Sequence, residues 1–186
     1  MKEDYSEVVA ILDMSGSMSS LANDTICGFN SYLLELQKAE GEIRITLITF
    51  SNHSSIVWNH RNVKECQNIT SETYRPSGGT ALTDALGDAI ENMKQHIKHL
   101  EEEDKPGKVS FFVSTDGQEN ASRSFNRQQV REEVVRQTEE EKWEFIFAGA
   151  NIDAFATGQN YGIQQQNIAN IHNNGLGQQQ LFNALA

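Results

Sequence analysis

Cysteine is almost absent from this chain: Cys27 and Cys66 are the only two in 186 residues. Two thiols so far apart make neither a disulfide framework nor a zinc ligand set, and they point to a reducing compartment. Basic residues are scarce too, with 15 Lys+Arg against 26 Asp+Glu and a formal charge of -11. That balance disfavours nucleic acid and anionic membrane surfaces as partners. Long hydrophobic runs are also missing. Met1 is followed by the polar KEDYSE, and Val8 to Leu12 is too short for a signal-peptide core or a membrane span. A soluble, cytoplasmic protein is expected. The length suits one domain over residues 1–186, and no internal repeat is visible.

What is present is concentrated in Val8 to Ser19, VVAILDMSGSMS. A short apolar run bounded by turn formers suggests a strand buried on both faces, as in the centre of a parallel sheet. It ends in Asp13, Ser15 and Ser17 at alternate positions, with Gly16 permitting a turn in which a carboxylate and two hydroxyls converge. Hard oxygens on a tight loop suit Mg²⁺ or Mn²⁺ better than a thiolate-loving metal. A plainer alternative is a polar loop whose serines cap the following helix.

The rest of the chain alternates. Leu21 to Glu40 has helical spacing and stops at Gly41. Ile43 to Ser51 and Ser54 to Asn59 read as strands whose short link makes a hairpin, so the third strand runs antiparallel to the second. Val63 to Tyr74 is weakly patterned and reads as a surface connection into the loop RPSGGT, Arg75 to Thr80. A long helix is expected from Ala81 to about Glu103, broken by Pro106 and Gly107. Lys108 to Thr115 is a second strongly apolar strand, and like the first it ends in a carboxylate, Asp116, here followed by Gly117. Asn126 to Lys142 reads as a helix, Trp143 to Ala148 as a strand and Ile152 to Tyr161 as a short helix. Asn167 to Ile171 reads as a last strand and Gln178 to Ala186 as a terminal helix. The Gln- and Asn-rich stretch Gly158 to Gln180 is expected to be an ordered edge, because Ile163, Ile168, Ile171, Leu176, Leu181 and Phe182 interrupt or follow it.

The fold class is therefore α/β: a doubly wound, Rossmann-like three-layer sandwich of about six strands in the order 3-2-1-4-5-6. The sheet is mostly parallel, with strand 3 antiparallel and helices on both faces. In that order strands 1 and 4 are neighbours at the switch point, so Asp13 and Asp116 sit side by side beyond their carboxyl ends. The glycine loop ending in Thr80 can reach the same crevice. Thr80 alone would read as a helix N-cap, but five oxygen-bearing residues converging make coincidence a poor account.

At this point the chain resembles the von Willebrand factor type A domain. In that family a D-x-S-x-S loop, a threonine from a glycine loop and an aspartate after the fourth strand form the metal-ion-dependent adhesion site. The resemblance places these on Asp13, Ser15 and Ser17, on Thr80 within GGTAL, and on Asp116 within STDG. It implies a Mg²⁺ or Mn²⁺ ion on the three hydroxyls, with both aspartates binding directly or through water. It further implies a protein partner whose Glu or Asp completes the coordination. Met18, Arg75, Gly78, Gly79, Gly117 and Arg123 on the flanking loops are the expected partner contacts. Intracellular bacterial members, which assist larger assemblies, are the nearest in character.

Two rivals remain at this level. A metal beside carboxylates at a switch point also describes phosphohydrolases. The haloacid-dehalogenase pattern, however, needs an aspartate where Ser15 stands, the G-x-S-x-G elbow is absent, and GGTALTD lacks a P-loop lysine. A non-enzymatic protein is expected. The second rival is a scaffold whose metal is purely structural. His96 and His99 with Glu103 could bind a transition metal but read as a solvated helix face, and His53, His60 and His172 receive no role. The acidic runs Glu101 to Asp104 and Glu139 to Glu141 sit near helix ends, where fraying is expected.

Overall fold

A computed structural model of the chain describes residues 2–150 and 152–171. The expected terminal helix and the Gln- and Asn-rich tract beyond Ile171, with His172, Leu176, Leu181 and Phe182, lie outside these residues. Strand β1, Lys2–Asp13, is longer than its apolar centre. Its polar lead-in is paired on both sides, Tyr5 with Glu42 and Ser6 with Lys108. The sheet continues as β2 (Glu42–Phe50), β3 (Ser54–Asn62), β4 (Pro106–Thr115), β5 (Glu144–Ala150) and β6 (Ile168–Ile171). Its order is β3-β2-β1-β4-β5-β6, with β3 antiparallel to β2 and every other pair parallel.

Burial on both faces explains why β1 is an unbroken apolar run rather than an alternating one. Val9 and Ile11 face helices α2 (Leu82–Lys98), α3 (Arg127–Glu140) and α4 (Ala154–Asn160). Val8, Ala10 and Leu12 face helix α1 (Ala22–Lys38), which contributes Phe29, Tyr32, Leu33 and Leu36. The α3 terminus is set by a capping box: Asn126 Oδ1 accepts from Gln129 N at 2.9 Å, and Gln129 Oε1 from Asn126 N at 3.3 Å.

The stretch from Val63 to Tyr74 runs over the surface as its weak pattern suggests, but it is pinned to the core at four positions. Val63, Cys66, Ile69 and Tyr74 are buried in the α1 layer. What replaces a periodic pattern is side-chain bonding to its backbone. Asn30 bonds both the N–H and the C=O of Ile69, at 2.8 and 2.9 Å, and Gln37 donates to the carbonyls of Val63 and Cys66, each at 3.0 Å. Helix α2 ends at Lys98, short of Glu103, and Leu100 lies beyond it. The acidic run there forms a separate turn in which Glu102 pairs with Lys105 at 2.6 Å and Asp104 with Lys2 at 3.0 Å.

Gly87 sits inside α2, where a Cβ would come within 2.6–2.8 Å of the Phe125 ring. Alanine normally gains about 1 kcal/mol over glycine in a helix interior. Here it would overpack the ring, at a cost of about 1–3 kcal/mol. Gly87→Ala should therefore lower the urea midpoint; a raised midpoint would mean that Phe125 is not fixed against α2.

Candidate metal centre

β1 and β4 run parallel and in register, Leu12 beside Ser114, so their ends place Asp13 and Asp116 together. Both carboxylates are withdrawn from solvent, Asp13 at 0% and Asp116 at 8% exposed. Asp13 Oδ1 accepts the Ser15 N–H at 2.7 Å and Oδ2 the Thr115 hydroxyl at 2.5 Å. Ser17 Oγ donates to Asp116 Oδ1 at 2.6 Å and lies 3.1 Å from Ser15 Oγ. A Cβ on Gly117 would meet Thr80 Oγ1 at 2.9 Å and Ser17 Oγ at 3.6 Å, which places Thr80 on the same cluster. All five residues singled out in the sequence therefore come together.

The capping alternatives do not hold. Ser15 precedes a 3₁₀ turn, Gly16–Leu21, and makes no side-chain cap bond to it. Helix α2 has Ala81, not Thr80, at its N-cap, and that side chain makes no cap bond. The helix is capped from elsewhere: Glu119 Oε2 accepts from Thr83 N at 2.7 Å and Ser122 Oγ from Asp84 N at 2.9 Å.

The loop itself is tied by backbone. Met14 N donates to Phe50 O, Gly16 N to Gly78 O and Ser77 N to Met14 O, at 2.6, 3.0 and 2.9 Å. The Tyr74 hydroxyl donates to the Asp13 carbonyl. Gly78 has φ +75°, and a Cβ there would strike the Asn52 amide at 2.9 Å. Asn52 and Asn120 accept the Gly79 and Thr80 N–H groups at 2.7 and 2.8 Å, fixing the glycine loop.

Electrostatically the site lacks a counter-charge. Among the described residues neither Asp13 nor Asp116 takes part in an ion pair. Burial pushes the Asp13 carboxyl up, hydrogen bonds from Thr115 and Ser15 oppose it, and the charge of Asp116 adds to the rise. Three hydroxyls and two uncompensated carboxylates, with no sulfur or nitrogen ligand among them, fit a hard divalent cation.

The expected partner contacts divide. Arg75, Gly78 and Arg123 are exposed and Gly79 and Gly117 partly so, all on the rim. Met18 is corrected: at 1% exposure its side chain turns into the core with Leu21 and Phe29, because the 3₁₀ turn aims it at α1. Sequence reasoning missed Thr115, whose partner is the Asp13 carboxylate, and Tyr74, Asn52, Asn120 and Glu119, each of which bonds a backbone group remote in sequence. Asp84, in the first turn of α2, belongs to the same frame: its carboxylate receives the N–H groups of Arg123, Ser124 and Phe125 at 2.8–3.0 Å.

A doubly wound sheet with an oxygen cluster at its switch point defines the class, and the chain belongs to the von Willebrand factor type A domain family, whose model matches residues 7–183. The family is one of metal-binding adhesion and protein-interaction modules. No curated protein matches the sequence. Among solved structures it resembles the vWF domain of the type V pili tip protein Mfa5 from Porphyromonas gingivalis. There the TM-score is 0.70 at 10% identity, over 100% of this chain and 96% of that one. It also resembles a von Willebrand factor type A protein from Catenulispora acidiphila (TM-score 0.66, 11% identity, 100% and 42% covered). A third is the mussel byssus proximal thread matrix protein 1 with zinc in its MIDAS motif (0.65, 11%, 100% and 46%). The chain thus spans less than half the length of the last two.

Glu119 braces the loop beside the site. Burial raises its carboxyl, but hydrogen bonds from Thr83, Ser122 and Ala121 outweigh this and hold it below the usual range. A carboxyl lowered by folding stabilises above its unfolded pKa, about 4.5, and loses that contribution as pH falls through its folded value. Glu119→Gln should cost about 1–2 kcal/mol at pH 7, the scale of a lost helix cap. The difference from wild type should shrink in urea denaturation as pH falls below the unfolded value.

Proposed function

We propose that the chain is a metal-dependent protein-interaction module. Ser15, Ser17 and Thr80 would hold Mg²⁺ or Mn²⁺ through their hydroxyls, with Asp13 and Asp116 directly or through water. The observation that carries this reading is the pair of buried, unpaired carboxylates at adjacent strand ends with three hydroxyls beside them. Such an ion supplies a positive charge with a coordination position that a partner's Glu or Asp can take.

The residues around it divide the work. Ser17 donates a hydrogen bond to Asp116 and so accepts from Ser15, which leaves one oxygen lone pair of Ser17 for the cation. Thr115 and the Ser15 N–H orient Asp13, whose carbonyl is fixed by Tyr74. The rim of Arg75, Gly78, Gly79, Gly117 and Arg123 would contact the partner, and the two arginines favour an acidic segment. Binding rather than catalysis is the role proposed. An intracellular setting, in a bacterial assembly or stress-response system, is supported by the free, exposed thiol of Cys27. No helix among the described residues is long and apolar enough to cross a membrane.

Calorimetric titration of Mg²⁺ and Mn²⁺ into chelator-treated protein, with and without a glutamate-bearing peptide, tests the reading. Metal binding should fall at least about tenfold, about 1.4 kcal/mol, in Asp13→Ala, Ser15→Ala and Asp116→Ala, each with an unchanged circular dichroism spectrum. Peptide binding should require the metal. Retained metal affinity in all three variants sinks the site. A metal that raises stability without changing peptide affinity makes it structural. Mg²⁺-dependent phosphoester turnover lost in Asp13→Ala makes the protein an enzyme.

A further inference from the structure

A second polar cluster lies within the fold, independent of the first. Glu7 is wholly buried in β1, on the face of Val9 and Ile11. Six residues of strand, at about 3.3 Å each, put it roughly 20 Å from Asp13. Two histidines reach it from other elements: His60 Nδ1 on β3 stands 3.1 Å from Oε2, and His96 Nε2 in the last turns of α2 stands 3.3 Å from Oε1. Tyr5 donates its hydroxyl to Oε1. The histidine grouping suggested by spacing, His96 with His99 and Glu103, does not form: His99 Nδ1 bonds the Gln95 carbonyl at 2.6 Å.

His60 is delivered by a defect in the edge strand. Ile45 pairs with Arg61 and Leu47 with Trp58, so Asn59 and His60 together oppose Thr46. This bulge puts His60 at φ +48°, a conformation rare for residues with a side chain, held by its N–H on Thr46 Oγ1 at 3.0 Å. The ring consequently turns inward, and only 10% of the side chain is exposed.

With neutral rings the hydrogen-bond arithmetic at this cluster does not close. His60 Nε2 lies 3.0 Å from Asn92 Oδ1, an oxygen that only accepts, so Nε2 carries the proton. In the neutral ring Nδ1 is then a bare lone pair facing an ionised carboxylate. His96 Nε2 faces the same carboxylate, buried and with no hydrogen bond among the described residues. Both nitrogens and the carboxylate are short of a cation.

We propose that Glu7, His60 Nδ1 and His96 Nε2 form a second metal site, for a transition-metal dication of the zinc class. Imidazole and carboxylate donors select zinc-like ions over magnesium. Two donors 2.0–2.1 Å from a tetrahedral zinc lie about 3.4 Å apart. The carboxylate oxygens already stand 3.1 and 3.3 Å from the nitrogens, and all three donors fall within 4.8 Å of one another. Tyr5 on Glu7 and Asn92 on His60 supply the outer hydrogen bonds that fix such ligands. A cavity of about 210 Å³ bounded by Tyr5, Arg44, His96 and Leu100 provides the way in.

One movement is required. The two rings stack with centroids 3.6 Å apart and 13° between planes, and parallel rings cannot both aim in-plane lone pairs at one ion. His96 is the one to turn, since its Nε2 has only the 3.3 Å contact with Glu7 to give up and its side chain is 21% exposed, whereas Asn92 clamps His60. The bound ion would tie the edge strand and the end of α2 to the central strand.

The test is zinc calorimetry on the full chain in excess Mg²⁺, repeated in Asp13→Ala, with Co²⁺ absorption reporting nitrogen ligation. One equivalent should bind in both proteins. Affinity should fall in His96→Gln by more than the roughly 10–100-fold that loss of an outer-shell partner costs, and stay unchanged in His99→Ala. His96 is partly exposed, so its variant should remain folded, which circular dichroism checks. Absence of zinc binding in folded wild type, or affinity indifferent to His96→Gln, would overturn the proposal. Loss of binding in Asp13→Ala alone would assign the zinc to the first site and overturn it equally.

Discussion

Two carboxylates placed at the ends of adjacent parallel strands repel each other, and burial makes that repulsion stronger. Asp13 and Asp116 occupy this position because β1 and β4 are neighbours at the point where the winding reverses. Much of the surrounding structure holds the pair in place while leaving oxygen atoms free. Thr115 and the Ser15 N–H occupy Asp13, Ser17 occupies Asp116, and Tyr74 holds the Asp13 carbonyl.

The loops beyond are braced in a reciprocal way. Glu119, from the loop after β4, caps α2, while Asp84, from the first turn of α2, gathers the backbone of residues 123–125. Asn52 and Asn120 do the same for the glycine loop between them. Each polar group satisfies backbone that neither helix nor sheet could satisfy, so the rim is held by the elements it joins. Such bracing keeps the geometry of the oxygen cluster close to that of the sheet itself.

The sheet order and the five oxygen residues were legible in the sequence because they depend on local signals. An apolar run ending in D-x-S-x-S, a second ending in an aspartate, and a hairpin too short to cross over are all readable within a few residues. The burial of Met18 and of the anchors Val63, Cys66, Ile69 and Tyr74 was missed for the opposite reason. Their burial comes from α1 folding over them, with Asn30 and Gln37 substituting for any periodic pattern. Glu7, His60 and His96 lie on three elements and meet only through a bulge, which no spacing rule anticipates.

That bulge also bears on how the molecule meets its own copies. An edge strand with a free row of N–H and C=O groups invites another chain to add on, the first step toward fibrils. In β3 the ladder is interrupted at Asn59 and His60, and His60 adopts a left-handed turn in mid-strand. A straight incoming strand would lose its register there. The same distortion that brings an imidazole to the buried carboxylate therefore gives this side of the sheet a built-in resistance to polymerisation.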